Sequence, residues 1–394
     1  MDEELNNGTP EPEMNQEMDA GSPETEVDKE PEAEAPKPKK KRPVLKALLI
    51  SLIVLLSLTL VVGLAAWIWV NAMLNKINYV AADESRLSQE EVEQLLQNDT
   101  EGETIQDGEI LPDIEELEQE LMKDPGASAE PMPDGSVKGD VVNILLVGQD
   151  RRGEKRARSD SMILVTINKN KNTITFTSFL RDAYVQIPGY KAHKLCHAFQ
   201  YGGFSLLNET LWVNYGVRVD GNAEVDFNRF MGLIDLLGGV DIELTQKEIN
   251  YMTNNGSKWP ELKKGMNHLT GEQALLYSRI RYIDSDYRRT ERQRTVLMSL
   301  LNEYKSKPLL EMLDLLDEIL PLVTTNMEKS EIVSLATKLF PMAKGATINS
   351  QQIPAAGTFK GGSVRVREGL KGWFEYNIDF EKNRQILQDV FDAD

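Results

Sequence analysis

From Ala47 to Leu74 the chain runs 28 residues without one charged side chain. About 20 apolar residues are enough to cross the hydrocarbon core of a bilayer as a helix. A soluble core helix of this length would normally keep a polar face for water, so a transmembrane helix is expected. Trp67 and Trp69 sit near its far end, where indole rings settle at the membrane interface. Before it stands KPKKKRPVLK (37–46), with six bases and no acid, and such clusters stay on the cytoplasmic side. A cleaved signal peptide would carry an apolar region of only about 7–15 residues, whereas this one is far longer and begins after 46 residues. An uncleaved single-pass signal anchor follows, with the N-terminus in the cytoplasm and everything after about Asn75 outside.

The anchor also sorts a charge total that misleads when averaged. The chain carries −19 overall. Residues 1–36 hold −12, residues 37–46 hold +6, residues 75–140 hold −15 and residues 141–394 hold +2. Residues 1–46 are read as a disordered cytoplasmic tail ending in the basic juxtamembrane cluster, 47–74 as the anchor, and 75–140 as an acidic extracellular stalk with a short helix near Ile114–Met122. Residues 141–394 have the composition of a folded domain. An acidic tail repels nucleic acid, so no nucleic-acid partner is expected. One cysteine and three histidines exclude an intrachain disulfide framework, a Cys-rich zinc module and a histidine-cage metal enzyme. A lone cysteine in an exported chain agrees with a Gram-positive-type cell surface.

Within 141–394, apolar runs at 141–147, 162–168 and 173–179 read as buried strands, followed by short strands at 183–187, 217–225 and 240–244. Helical patterns lie at 197–215, at 226–239 before a Gly-Gly stop, from about Thr270, at 288–304, 308–320 and 328–341. A strand (SVRVRE) and a last helix close the chain. Apolar strands mixed with helices predict a sheet covered on both faces: an α/β fold, a three-layer α/β/α domain with a mixed central sheet, behind the single N-terminal transmembrane helix.

Two windows carry candidate chemistry. In VGQDRRGEKRARSDSMILV (147–165) Asp150 and Asp160 stand at the two ends of a charged loop between strands. Carboxylates so placed can hold Mg²⁺, which takes carboxylate, water and phosphate oxygens; a plain charged surface loop is the other reading. In YSRIRYIDSDYRRTERQR (277–294) six arginines, at 279, 281, 288, 289, 292 and 294, come without a lysine. Arginine's planar fork grips phosphate bidentately, yet a salt-bridged surface with Asp284, Asp286 and Glu291 would also use them. On a helix Arg289 shares a face with Arg292 or Gln293. In SFLRD (178–182) Arg181 and Asp182 follow an apolar strand, the end of an open α/β sheet where ligands bind; structural pairing of Arg181 with a neighbouring carboxylate is the other reading. No P-loop, dinucleotide fingerprint or serine-nucleophile elbow is present. Cys196 and His197 are sequence neighbours, which does not make a catalytic dyad.

In order, NILLVGQD (143–150), RSDSM (158–162), SFLRD (178–182), KLCHAFQYGG (194–203), VDFNRFMGLIDLLGGVDIEL (225–244), LTGEQALLYSRIR (269–281) and the run DYRRTERQ (286–293) resemble the extracellular domain of LytR-CpsA-Psr proteins. The likeness is strongest over 141–306. It implies a phosphotransferase that moves a glycopolymer, such as a teichoic acid or capsular polysaccharide, from a polyprenyl-pyrophosphate carrier to peptidoglycan. By motif, Asp150 and Asp160 would bind Mg²⁺ (or Mn²⁺). Arg158, Arg181, Arg279, Arg281 and Arg289 would grip the pyrophosphate, supported by Gln293, with Asp286 positioning Arg289 or its neighbours. Asp160, Arg181 and Arg279 would be the catalytic residues. Leu180 stands where the family usually has Pro, Cys196 where Asn is common, and Arg288 where Gly is common. A membrane-bound transcriptional attenuator, or a non-catalytic receptor for lipid-linked polymer, are the rival readings; the receptor would not need the Asp pair.

Overall fold

The computed structural model describes residues 43–81, 85–98, 102–106, 109–123, 139–151, 156–256, 259–281, 283–284, 286–343 and 345–392. The acidic N-terminal tail, most of the basic cluster and the Pro/Gly-rich run 124–136 lie outside them. The chain divides into two compact units, 1–62 and 63–394. The uncharged stretch is one helix, Pro43–Leu74, of which Leu48–Leu74 is long and apolar enough to cross a membrane.

The second unit is organised by a seven-stranded mixed sheet. Its order is Asn78–Tyr79, Thr324–Thr325, Gly221–Asp226, Val141–Gln149, Ser159–Asn168, Thr173–Phe179 and Thr347–Ile353. Val141–Gln149 is central, antiparallel to Ser159–Asn168 and parallel to Gly221–Asp226. The two-residue period of a strand sends alternate side chains to opposite faces. Leu145, Val147, Met162 and Leu164 go to one face and pack with Leu206 and Leu211 of the helix Leu195–Tyr215 and Leu387 of Phe380–Phe391. Ile144, Ile163 and Phe176 go to the other, against Met298 and Leu301 of Asp286–Ser306 and Leu335 of Lys329–Ala343. This is the three-layer α/β/α arrangement, and both sheet faces being covered explains why the strands are apolar throughout.

A smaller layer sits beside the sheet. Val240–Leu244 pairs antiparallel with Gly265–Leu269, and helices Phe227–Leu236, Gln246–Asn255 and Gly271–Ser278 share its core. Local rules set its corners. Asp226 caps the first helix by accepting from the Arg229 backbone N–H. Gly238 and Gly239 leave that helix at φ +91° and +104°, and a Cβ at Gly239 would stand 2.4 Å from His268 Nε2. Thr270 and Gln273 form a capping box that starts Gly271–Ser278. That helix is two turns long, and Arg279 is its C-cap.

Several described segments of residues 75–140, read from the sequence as an acidic stalk, pack onto the folded unit. Asn78–Tyr79 is an edge strand of the main sheet, paired with Thr324–Thr325. Gln89–Asn98 buries Val92 in the main core, Glu103–Thr104 pairs with Leu370–Lys371, and Ile114–Leu121 buries Leu117 beside Tyr184, Val364 and Phe374. Seven of the acids lie on two short amphipathic helices whose other face carries Val92 and Leu117, so counting charge hid an apolar stripe. The folded unit therefore begins well before Val141.

Candidate active site

One cavity of roughly 800 Å³ opens at the carboxyl end of Val141–Gln149 and runs between the sheet and the smaller layer. Its two ends differ in chemistry. Asp150, Asp160, Arg158, Arg181, Arg279, Arg281, Arg289 and Gln293 all line the polar end, so the structure brings together every predicted site residue except Asp286. Arg151 lines it too, giving six arginines against two aspartates in a chain whose total is −19. The other end is an apolar arm between Ile163, Ala223 and Val225 of the sheet and Phe230, Leu276 and Leu300 of the helices.

The strands position the aspartates. Asp150 directly follows Val141–Gln149, Asp160 is the second residue of Ser159–Asn168, and a register shift at Gly148/Gln149 separates the strand ends. Each carboxylate meets an arginine. Arg181 Nη1 donates to Asp160 Oδ1, and Arg279 Nη2 lies 4.0 Å from Asp150. The Arg279 guanidinium also stacks on Phe227, 4.5 Å from the ring centroid.

Behind the arginines stands a second row of carboxylates. Asp286 does not line the cavity; it accepts from Arg289 Nη2 at 3.0 Å and from Arg281 Nη2 at 3.3 Å. A carboxylate facing a pyrophosphate would repel it, and placed behind, Asp286 aims the cations instead. Asp182 is buried 3.5 Å from Arg181 Nε, 3.7 Å from Arg281 and 3.1 Å from Lys194. Burial alone would raise its carboxyl, but Lys194, Arg181 and Arg281 outweigh that and hold it at about 2. Glu375, behind Asp182, is pushed up to about 8 by burial and by the charges of Asp182 and Asp286. The sequence marks Asp182 only as Arg181's neighbour in the strand-end pair and gives neither it nor Lys194 a site role.

Helix Asp286–Ser306 divides its arginines by angle. Arg289 and Gln293, four residues apart, face the cavity, and Gln293 Oε1 accepts from Ser161 Oγ at 3.0 Å. Arg292 turns away and is buried, bonding Glu248 at 2.7 Å, Asp284 and the Ile280 carbonyl. Arg294 donates to Ser350 Oγ at 2.7 Å, and Arg288 pairs with Glu291 on the surface. Of the six arginines in this window, 279, 281 and 289 serve the cavity and the others hold structure. Arg289 is itself buried, and its Nε has no hydrogen-bond partner among the described residues. Burial lowers its affinity for a proton, opposed by Asp286. An orphan donor on a buried cation beside a cavity is what an anion would satisfy.

The departures from the family pattern leave this frame intact. The Leu180 N–H donates to the Ile353 carbonyl at 2.9 Å, a bond a proline could not make. Cys196 is fully buried, and burial pushes its thiol up to about 11, so it is an inert core residue. Burial and the neighbouring His193 push His197 down.

Such a cavity, with an apolar arm leading to an arginine-lined head between two sheet-end aspartates, defines a site for an amphiphile with a phosphate head. Residues 115–377 match the LytR_cpsA_psr family. The chain is 31% identical over 249 residues to the polyisoprenyl-teichoic acid–peptidoglycan teichoic acid transferase TagU of Bacillus mycoides, covering 62% of this chain and 76% of TagU. It is 30% identical over 273 residues to TagU of Bacillus anthracis, covering 68% and 84%. Among solved structures, TagT bound to octaprenyl pyrophosphate is similar at 26% identity and TM-score 0.51, covering 68% of this chain and 98% of TagT. The crystal structure of Bacillus subtilis TagT gives 28% and 0.53, covering 68% and 97%. The chain belongs to the LytR_cpsA_psr family.

Proposed function

We propose that this protein is a membrane-anchored phosphotransferase of the cell envelope. It takes a teichoic acid- or capsule-like glycopolymer from a polyprenyl-pyrophosphate carrier and attaches it to peptidoglycan. The observation that carries this is the cavity: an isoprenoid-compatible apolar arm ending at Arg158, Arg181, Arg279, Arg281 and Arg289. The relatives' transferase names and the lipid-bound TagT support the same reading. The anchor and its basic flank argue for a cytoplasmic N-terminus and an extracytoplasmic site, and the Bacillus relatives for a Gram-positive-type cell.

The reaction follows from these parts. The acceptor hydroxyl attacks the phosphorus that bears the glycan; a new P–O bond forms, the pyrophosphate P–O–P bond breaks, and polyprenyl phosphate leaves. The arginines neutralise charge on the phosphoryl oxygens and on the leaving phosphate. Asp150 or Asp160 accepts the hydroxyl proton, and Arg181 orients Asp160. Phe227 holds Arg279 by stacking. Two carboxylates next to a phosphate are a fitting donor set for Mg²⁺ or Mn²⁺, which Asp150 and Asp160 would hold. When bound, the ion supplies further charge neutralisation on the phosphate. The Asp pair favours catalysis over a pure receptor.

The test is transfer in vitro by the full chain in detergent, given a short lipid-pyrophosphate glycan, a peptidoglycan oligomer and Mg²⁺. Arg181→Ala and Asp160→Ala are expected to lose about 10²–10³ in turnover, and chelation of divalent ions to lower it. Turnover unchanged in both variants would sink the reading.

A further inference from the structure

The hairpin of Lys360–Arg367 and Leu370–Tyr376 offers a large aromatic to solvent. Trp373 is 53% exposed, while Glu375, two residues on and on the same face, is 3% exposed. Trp373 Nε1 donates to Glu375 Oε1 at 3.1 Å. The indole lies over Gly361, where a Cβ would stand 3.1 Å from its Cζ2. A bond at the ring's edge and a bare backbone beneath it hold the indole in one orientation, with over half its surface open.

This fixed ring is tied to the site. The Glu375 N–H donates to the Asp182 carbonyl at 3.0 Å, and the Asp182 carboxylate engages Arg181 and Arg281. Among the described residues, none of 360–376 lines the apolar arm. A phosphate held by the arginines thus has the lipid arm to one side, and the hairpin joins the site through Asp182 rather than through that arm.

We infer that Trp373 is a sugar platform, taking the apolar C–H face of a pyranose ring from the glycan that flanks the transferred phosphate. The inference rests on the function proposed above. A pre-oriented indole supplies a large contact area at little entropic cost. The ring could come from the donor polymer or from the peptidoglycan acceptor, and the chemistry is shared. Covering Gly361 is itself a structural service that an aromatic can render to a strand, so the test must separate the two.

Full chain in detergent is compared with Trp373→Ala and Trp373→Phe. The measurements are binding of bare octaprenyl pyrophosphate, binding of a peptidoglycan oligomer, and KM for an octaprenyl-pyrophosphate disaccharide and for the oligomer. Trp373→Ala is expected to raise KM for one glycan substrate, and weaken its binding, by about five- to ten-fold, with bare lipid binding unchanged. Trp373→Phe keeps a ring and recovers part of the loss. The arm that responds identifies donor or acceptor. Glycan constants unchanged in Trp373→Ala, or bare lipid and glycan weakened equally, overturn the platform. Loss of bare lipid binding by the wild-type chain would instead indict the proposed function.

Discussion

The Asp286 carboxylate accepts a hydrogen bond from Arg289 at 3.0 Å, and only Arg289 of the pair lines the cavity. The acid aims the base. Asp286→Asn is expected to raise KM for lipid pyrophosphate about ten-fold, the scale of one charge-assisted bond, with kcat less affected. Initial rates over a range of donor concentration measure this, and a wild-type KM would count against it.

Three arginines within five residues of the same helix give three different outcomes. Arg289→Ala loses substrate affinity because it empties a cavity wall. Arg292→Ala leaves Glu248 buried without its partner and should cost about 3–5 kcal/mol of stability, read by urea unfolding. Arg288→Ala removes only a surface pair and should change stability by less than about 1 kcal/mol.

Filling the apolar arm tests the lipid's place. Ala223 lies on the sheet wall of that arm, and Ala223→Trp should lower affinity for octaprenyl pyrophosphate by more than about ten-fold. Inorganic pyrophosphate, which needs only the arginines, should bind as before. Calorimetric titration with both ligands separates the two ends of the cavity.

Glu375 makes stability depend on pH. Its carboxyl is raised from 4.5 to about 8, with Asp182, Asp286 and Lys194 as the charges around it. The native state therefore holds a proton that the unfolded state has lost, so stability falls as pH rises from about 4.5 towards 8. Asp182 acts oppositely: its contribution is complete above about 4 and is lost as pH falls towards 2. Denaturation midpoints between pH 5 and 9 should decline in the wild type and flatten in Glu375→Gln.

Much of the site could be read along the chain because each of its parts is local. Asp150 and Asp160 flank one loop, and Arg279, Arg281 and Arg289 stand within one window, so their order sufficed. Spacing alone does not say which arginine serves which purpose, since Arg289 and Arg292 differ only by their angle around a helix packed against partners far away in the chain; the choice of Arg279, Arg281 and Arg289 comes from the family resemblance. The edge strand Thr347–Ile353 escaped notice because TINSQQI is mostly polar, and only its parallel pairing with Thr173–Phe179 makes it a strand. The walls of the lipid arm come from five separate elements, whose apolar residues look like ordinary core until the fold leaves a gap between them.

The edge strand Asn78–Tyr79 begins three residues after the apolar helix ends at Leu74. Fully extended, three residues span only about 10 Å. Such a link is a short neck rather than a leash, and with the anchoring proposed above it would keep the site close to the bilayer that holds an isoprenoid donor.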